Sequence, residues 1–143
     1  MSARYLLDTN ILSEPARPAP AKRVVEWLRS RGSSELAISV LVLGEIAKGV
    51  AMMEPGRRKD ALTYWLEHDL PERFRGRLLP VDDRVAFEWG RLAAEGRRIG
   101  RPLPVIDGLM LATAVAHDLT LATRNIRDCG DRGVPVFDPW RGE

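Results

Sequence analysis

Solid apolar runs of three or four residues alternate along the chain with longer stretches in which apolar positions recur every three or four residues. The first kind suits strands buried on both faces, the second amphipathic helices. "YLL" (5–7) is the first run, set between Arg4 and a short "ILSE" segment that Pro15 closes. A Pro-punctuated loop, "ARPAPAK", leads to "RVVEWLRSRG", where Val24, Val25, Trp27 and Leu28 share one helical stripe and Gly32 suits the position after the helix end. Leu36 to Ile38 form a second strand that runs directly into a long helix, with Ser39 as its N-cap. "GRRKDALTYWLEHDL" and "DDRVAFEWGRLAAEG" predict two more amphipathic helices on either side of the short apolar run "GRLLPV". "RPLPVIDGLMLATAVAHD" predicts another helix, opened by Pro104 in its first turn. "LTLAT" and "VPVFD" end the chain as strands, joined by a polar turn that carries Gly130 and Gly133.

Strands this short and apolar, alternating with helices, predict an α/β domain with a central, mostly parallel sheet covered on both faces. The 143 residues allow one domain, 1–143, with no repeat, low-complexity tract or linker to divide it. With 45% apolar and 29% charged residues, disordered and fibrous classes are excluded. A formal charge of +2 carried mainly by arginine adds weight to a polyanionic partner, because the planar guanidinium fork matches phosphate. Cys129 is alone, so no internal disulfide forms. The start of the chain lacks a basic segment followed by an apolar core, and no run approaches the ~20 apolar residues that span a bilayer. The expectation is a soluble cytoplasmic protein without a membrane partner.

In an open parallel sheet, ligands bind beyond the carboxyl ends of the strands. Asp8 ends the first run and is delivered to that crevice, although on this residue alone an N-cap for "ILSE" is the slightly better explanation. Glu45 lies among Leu41, Val42, Ile46 and Ala47, where a carboxylate is costly unless paired or bound to metal; an ion pair with Lys48 is the alternative. Asp107 falls in the opening turns of its helix, where the dipole stabilises an acid, and that end of the helix faces the same crevice. Thr123, Asn125 and Asp128 follow the "LTLA" strand. Carboxylates gathered without cations repel one another, and hard divalent ions with oxygen ligands resolve this. Zinc is disfavoured, since His68 and His117 stand at no ligand spacing and belong on helix surfaces. A phosphatase of the haloacid dehalogenase type needs a second acid two residues after the first, and Asn10 stands there; no P-loop, GxGxxG or nucleophilic triad is present.

These residues resemble the PIN-domain ribonucleases, most closely the toxin subunits of VapBC and FitAB-type toxin–antitoxin systems. "LLDTNILSEP" is similar to the family's first acidic motif, "SVLVLGEIAKGV" to its second, "PVIDGLMLATAVAHDLTLATRN" to its third and fourth, and "VFDPW" to its closing strand. The resemblance implies a three-layer α/β/α fold and Mg2+ or Mn2+ held by Asp8, Glu45 and Asp107. Asn125 occupies the fourth acidic position, where many relatives carry Asp, and Asp128 stands close by. Thr9, Asn10 and Thr123 match polar residues that orient acids or waters. The resemblance further implies a homodimer, a small antitoxin whose C-terminal segment covers the site, and metal-dependent endonucleolytic cleavage of RNA. A degenerate domain that binds RNA or antitoxin without cutting is the alternative. Arg17, Lys22, Arg23 and Arg124 flank the first and fourth motifs as candidate phosphate contacts.

Overall fold

The computed structural model describes residues 3–143. Strand β1 (Tyr5–Leu7) is followed by helix α1 (Thr9–Ser13), a 3-10 turn at Glu14–Ala16 and helix α2 (Lys22–Ser30). Strand β2 (Leu36–Ser39) passes straight into α3 (Val40–Ala51), and α4 (Arg57–Tyr64) continues through a π-helical turn, Trp65–Asp69, into α5 (Leu70–Arg73). Strand β3 (Leu78–Leu79), the long α6 (Asp83–Arg98) and α7 (Val105–Ala116) come next. Strand β4 (Thr120–Ala122), the short α8 (Ile126–Cys129) and strand β5 (Val136–Phe137) complete the chain.

The strands form one sheet of five in the order β3-β2-β1-β4-β5, and every adjacent pair is parallel. Parallel neighbours need crossover connections, and helices supply them on both faces, as the alternating pattern predicts. Leu6, Leu7, Ala37, Ile38, Leu121 and Ala122 are fully or almost fully buried, so the strands belong to the core on both sides. The sheet's connections change direction at β1, which pairs with β2 on one edge and β4 on the other. That switch point opens a crevice above the carboxyl ends of β1 and β4.

Helix α7 lies deepest, with Met110, Leu111, Ala112 and Ala114 buried. It enters β4 from the sheet's amino edge, so its own N-terminus stands over the carboxyl ends of the strands. Helix α6 packs against it after a reversal through Gly100, whose φ of 73° is the left-handed conformation that glycine adopts without a Cβ clash. Gly108 permits the close approach: a Cβ there would lie 3.0 Å from Trp89 Cδ1 and 3.1 Å from Leu103 Cδ2.

Two local expectations change. Helix α2 does end near Gly32, but it ends because Arg31 turns extended, and Gly32 has a φ of −64° that any residue adopts. Its N–H is instead accepted by Glu35 Oε2 at 2.9 Å. Pro104 is the N-cap of α7 and stands one residue before the first turn. Ser39 caps α3 as expected, its fully buried Oγ accepting the Leu41 N–H at 3.1 Å. Ser39→Ala therefore removes a buried cap, and urea unfolding is expected to register a loss of about 1 kcal/mol.

Candidate active site

Asp8 holds both roles that the sequence leaves open. It leaves β1 in extended conformation (φ −72°, ψ 159°) and caps α1, its Oδ1 accepting the Thr9 N–H at 2.8 Å. Its Oδ2 accepts the Thr123 hydroxyl at 2.7 Å and the Asn10 amide at 3.5 Å. Asp8 is only 8% exposed and Thr123 fully buried, so this carboxylate is fixed in place by partners on two neighbouring strand ends. The Thr123 hydroxyl in turn accepts the Asn125 N–H at 3.0 Å, and Asn10 Oδ1 accepts the Arg124 N–H at 3.4 Å. Thr9, Asn10 and Thr123 thus tie the turn after β1 to the turn after β4.

Glu45 joins this group through Thr9, whose hydroxyl donates to Glu45 Oε1 at 2.6 Å. The reasoning that a buried carboxylate would be costly here does not hold, because Glu45 is exposed. Helix α3 buries Val42 and Val50, while Gly44, Glu45, Ala47, Lys48 and Gly49 form its outer face. The apolar neighbours in sequence lie on a different side of the helix. Lys48 makes no ion pair with Glu45 among the described residues.

Asp107 sits in the first turn of α7, half-buried, over the same crevice. Asn125 Nδ2 donates to Asp107 Oδ2 at 3.0 Å and to Asp128 Oδ2 at 3.2 Å, bridging the two acids. Desolvation raises the Asp107 pKa above 3.8, and the negative charges of Asp8, Asp128 and Glu45 raise it further against the lowering effect of the Asn125 amide. Repulsion from three other carboxylates is an arrangement that a bound cation would relieve. Among the described residues no Lys, Arg or His forms an ion pair with Asp8, Glu45, Asp107 or Asp128.

This donor set fits Mg2+ or Mn2+: the oxygens are hard, and neither a histidine nor a thiolate is at hand. His68 is exposed and stacked on Tyr64, His117 ends α7, and the buried Cys129 thiol is pushed up to about 12, chiefly by desolvation. Among the described residues no group of three or more His, Cys, Asp or Glu side chains is arranged to hold a metal ion. Mg2+ keeps several waters and shares its shell with substrate phosphate, so it asks fewer ligands of the protein than a closed site does.

The candidate phosphate contacts separate. Arg17 pairs with the buried Glu14 at 3.6 Å, Arg23 donates to the Trp140 carbonyl at 3.1 Å, and Lys22 is exposed at the start of α2. Arg124 alone adjoins residues that hold the acids. Beside Glu45 and Thr9 runs a groove of about 670 Å3 between α1 and the α3–α4 pair, with Leu12, Ile46, Leu62, Trp65 and the cations Arg17, Arg58 and Arg73 among its lining residues. Sequence reasoning missed this groove, since its walls come from separate elements and no single motif marks it.

The PIN domain model matches residues 5–127, which carry Asp8, Glu45 and Asp107 and stop one residue before Asp128. The chain belongs to the PIN domain family. Toxin FitB of Neisseria gonorrhoeae is 38% identical over 135 residues, covering 94% of this chain and 97% of that protein. A VapC ribonuclease of Sinorhizobium fredii is 30% identical over the same length, with 94% and 96% covered. Among solved structures, FitAB bound to a DNA fragment superposes with a TM-score of 0.92 at 37% identity, covering 97% of each chain. This PIN domain has an all-parallel, helix-covered sheet, where its sequence pattern and its family resemblance predict a mostly parallel one. No helix among the described residues is long and apolar enough to cross a membrane.

Proposed function

We propose that this PIN domain is the toxin of a type II toxin–antitoxin pair and acts as a Mg2+-dependent endoribonuclease, with Mn2+ as a substitute. The observation that carries the reading is the carboxylate set of Asp8, Glu45, Asp107 and Asp128, drawn to one crevice with no Lys, Arg or His among the described residues paired to it. Relatives named as a FitB toxin and as VapC ribonucleases support it.

Asp8, Glu45 and Asp107 would hold the ion. Once bound, it supplies positive charge at the scissile phosphate and makes water a stronger nucleophile near neutral pH. The protein's own groups orient and hold. Thr123 and the Thr9 N–H fix Asp8 so that little reorganisation is needed when RNA arrives. Asn125 keeps Asp107 and Asp128 side by side. Incubating the protein with structured RNAs in Mg2+, Mn2+ or EDTA tests this: discrete products that require metal are expected, and folded protein that cuts nothing refutes it.

A second reading, RNA or antitoxin binding without cleavage, draws on Asn125 alone. Its amide faces both acids as an N–H donor and contributes no carboxylate of its own.

The antitoxin partner is supported by the FitAB and VapBC complexes among the structural relatives. We assign its covering segment to the groove beside Glu45, whose apolar floor suits an amphipathic helix. Ile46→Glu at the groove wall is expected to weaken binding of the co-expressed antitoxin by ~30-fold or more in calorimetry, the scale of a lost interface anchor. Unchanged affinity would place the antitoxin elsewhere. Phe87, 79% exposed on α6, and Val105, 58% exposed on α7, offer apolar surface for the homodimer that completes the proposal.

A further inference from the structure

The segment after β5 folds back as a closed turn centred on Asp138, which is 3% exposed. Asp138 Oδ1 accepts the Trp140 N–H at 2.8 Å, and the Asp138 carbonyl accepts the Gly142 N–H at 2.8 Å. The turn is attached to α2, where Arg23 donates to the Trp140 carbonyl at 3.1 Å. These bonds set the Trp140 indole against the turn after β4, with the Arg124 guanidinium 4.8 Å from its ring centroid.

Arg124 stands between Thr123, which bonds Asp8, and Asn125, which bonds Asp107 and Asp128. A long cationic side chain beside several unpaired carboxylates would ordinarily swing onto one of them. Here it does not: among the described residues no carboxylate pairs with Arg124. The guanidinium lies over the indole, which attracts it electrostatically and leaves its N–H edge free to donate. A guanidinium with a free edge is the group best matched to phosphate oxygens.

The geometry points to Trp140 as a positioning residue that holds Arg124 out of the acid cluster and presents it to a backbone phosphate of single-stranded RNA next to the cleavage point. This rests on the nuclease reading. It gives the C-terminal turn, which lies beyond the residues matched by the family model, two linked tasks. Trp140 leaves the acids unneutralised for a cation, and it keeps one phosphate contact in place.

The test uses the full chain and two probes, Mn2+ alone followed by paramagnetic resonance, and a labelled single-stranded oligoribonucleotide in EDTA followed by anisotropy across a salt series. Trp140→Leu keeps apolar bulk and removes the ring face. It is expected to weaken Mn2+ binding about fivefold, as Arg124 collapses onto the acids, and the double variant Trp140→Leu/Arg124→Ala is expected to restore it. With RNA, Arg124→Ala should lower the slope of log K against log salt by about 0.7, the value of one single-strand phosphate contact, and Trp140→Leu should match it. Trp140→Phe should stay near wild type in both assays.

A double variant that binds Mn2+ as weakly as Trp140→Leu would reduce Trp140 to packing and overturn the inference. So would an RNA slope unchanged by Arg124→Ala, a variant at an exposed position that reads the phosphate contact even if Trp140→Leu does not fold. Wild-type protein that binds neither probe would instead sink the nuclease reading itself.

Discussion

Asp107→Asn is expected to abolish metal-dependent RNA cleavage and, in the same protein, to raise the melting temperature measured in EDTA. The loss follows from removing a proposed ion ligand: several kcal/mol of charge stabilisation correspond to ~100- to 1000-fold in rate. The gain follows from the acids around it. Desolvation and repulsion from Asp8, Asp128 and Glu45 raise the folded-state pKa of Asp107 above 3.8, so the ionised group opposes folding wherever it is charged. An asparagine is neutral, and its carbonyl oxygen can still accept from Asn125. Because the pKa is raised, the penalty is fully present above the folded-state value and fades as pH falls through it. It is gone once the carboxyl is protonated in folded and unfolded chains alike, below 3.8. The stability gap between wild type and variant should therefore be largest near neutral pH, close in acid, and reverse when Mg2+ stabilises only the wild type. A variant that is less stable than wild type in EDTA at pH 7 would contradict this account of the cluster.

Thr123→Val should produce the largest loss of stability among the residues around the acids. The side chains are nearly isosteric, so no cavity forms. What disappears is a hydroxyl that donates to the Asp8 carboxylate and accepts the Asn125 N–H, in a position with no exposure to water. A hydrogen bond to a charged group contributes about 1.5–3 kcal/mol, and stranding a buried partner costs a comparable amount. A net loss of about 2–3 kcal/mol is expected by urea unfolding, with a fall in melting temperature of roughly 5–10 °C. Thr123→Ser keeps the hydroxyl and should recover most of it. If valine were tolerated, Asp8 would have to be held chiefly by the Thr9 N–H, and Thr123 would be a spectator. Mn2+ affinity in the valine variant separates the two, since a loosened Asp8 also loosens the ion.

These expectations depend on how the acids reach one another, and the sequence was unequally informative there. Asp8 is legible because a strand end and a helix start coincide in "LLDTNIL", and a carboxylate serves both. Asp107 is legible because Pro104 marks the beginning of a helix whose interior is apolar. The physical reason for singling out Glu45 fails, since neighbours in sequence lie on different sides of a helix and its carboxylate is exposed. The bridging role of Asn125 could not be read at all, because an amide's partners are set by what stands opposite it, here Asp107 and Asp128. Of four candidate phosphate contacts, flanking position alone could not tell Arg124 from Arg17, which Glu14 engages.

The α/β class and the order of the elements were already written in the chain, because periodicity and strand ends are local properties. The tertiary structure decided the rest. It set the strand order 3-2-1-4-5, which puts the ends of β1 and β4 side by side and lets Thr123 reach Asp8 across 115 residues of sequence. It also brought the C-terminal turn under Arg124 and closed a groove next to Glu45. Charges repel and hydrogen bonds form through space, so the raised pKa of Asp107 and the parking of Arg124 on Trp140 exist only once the chain has folded.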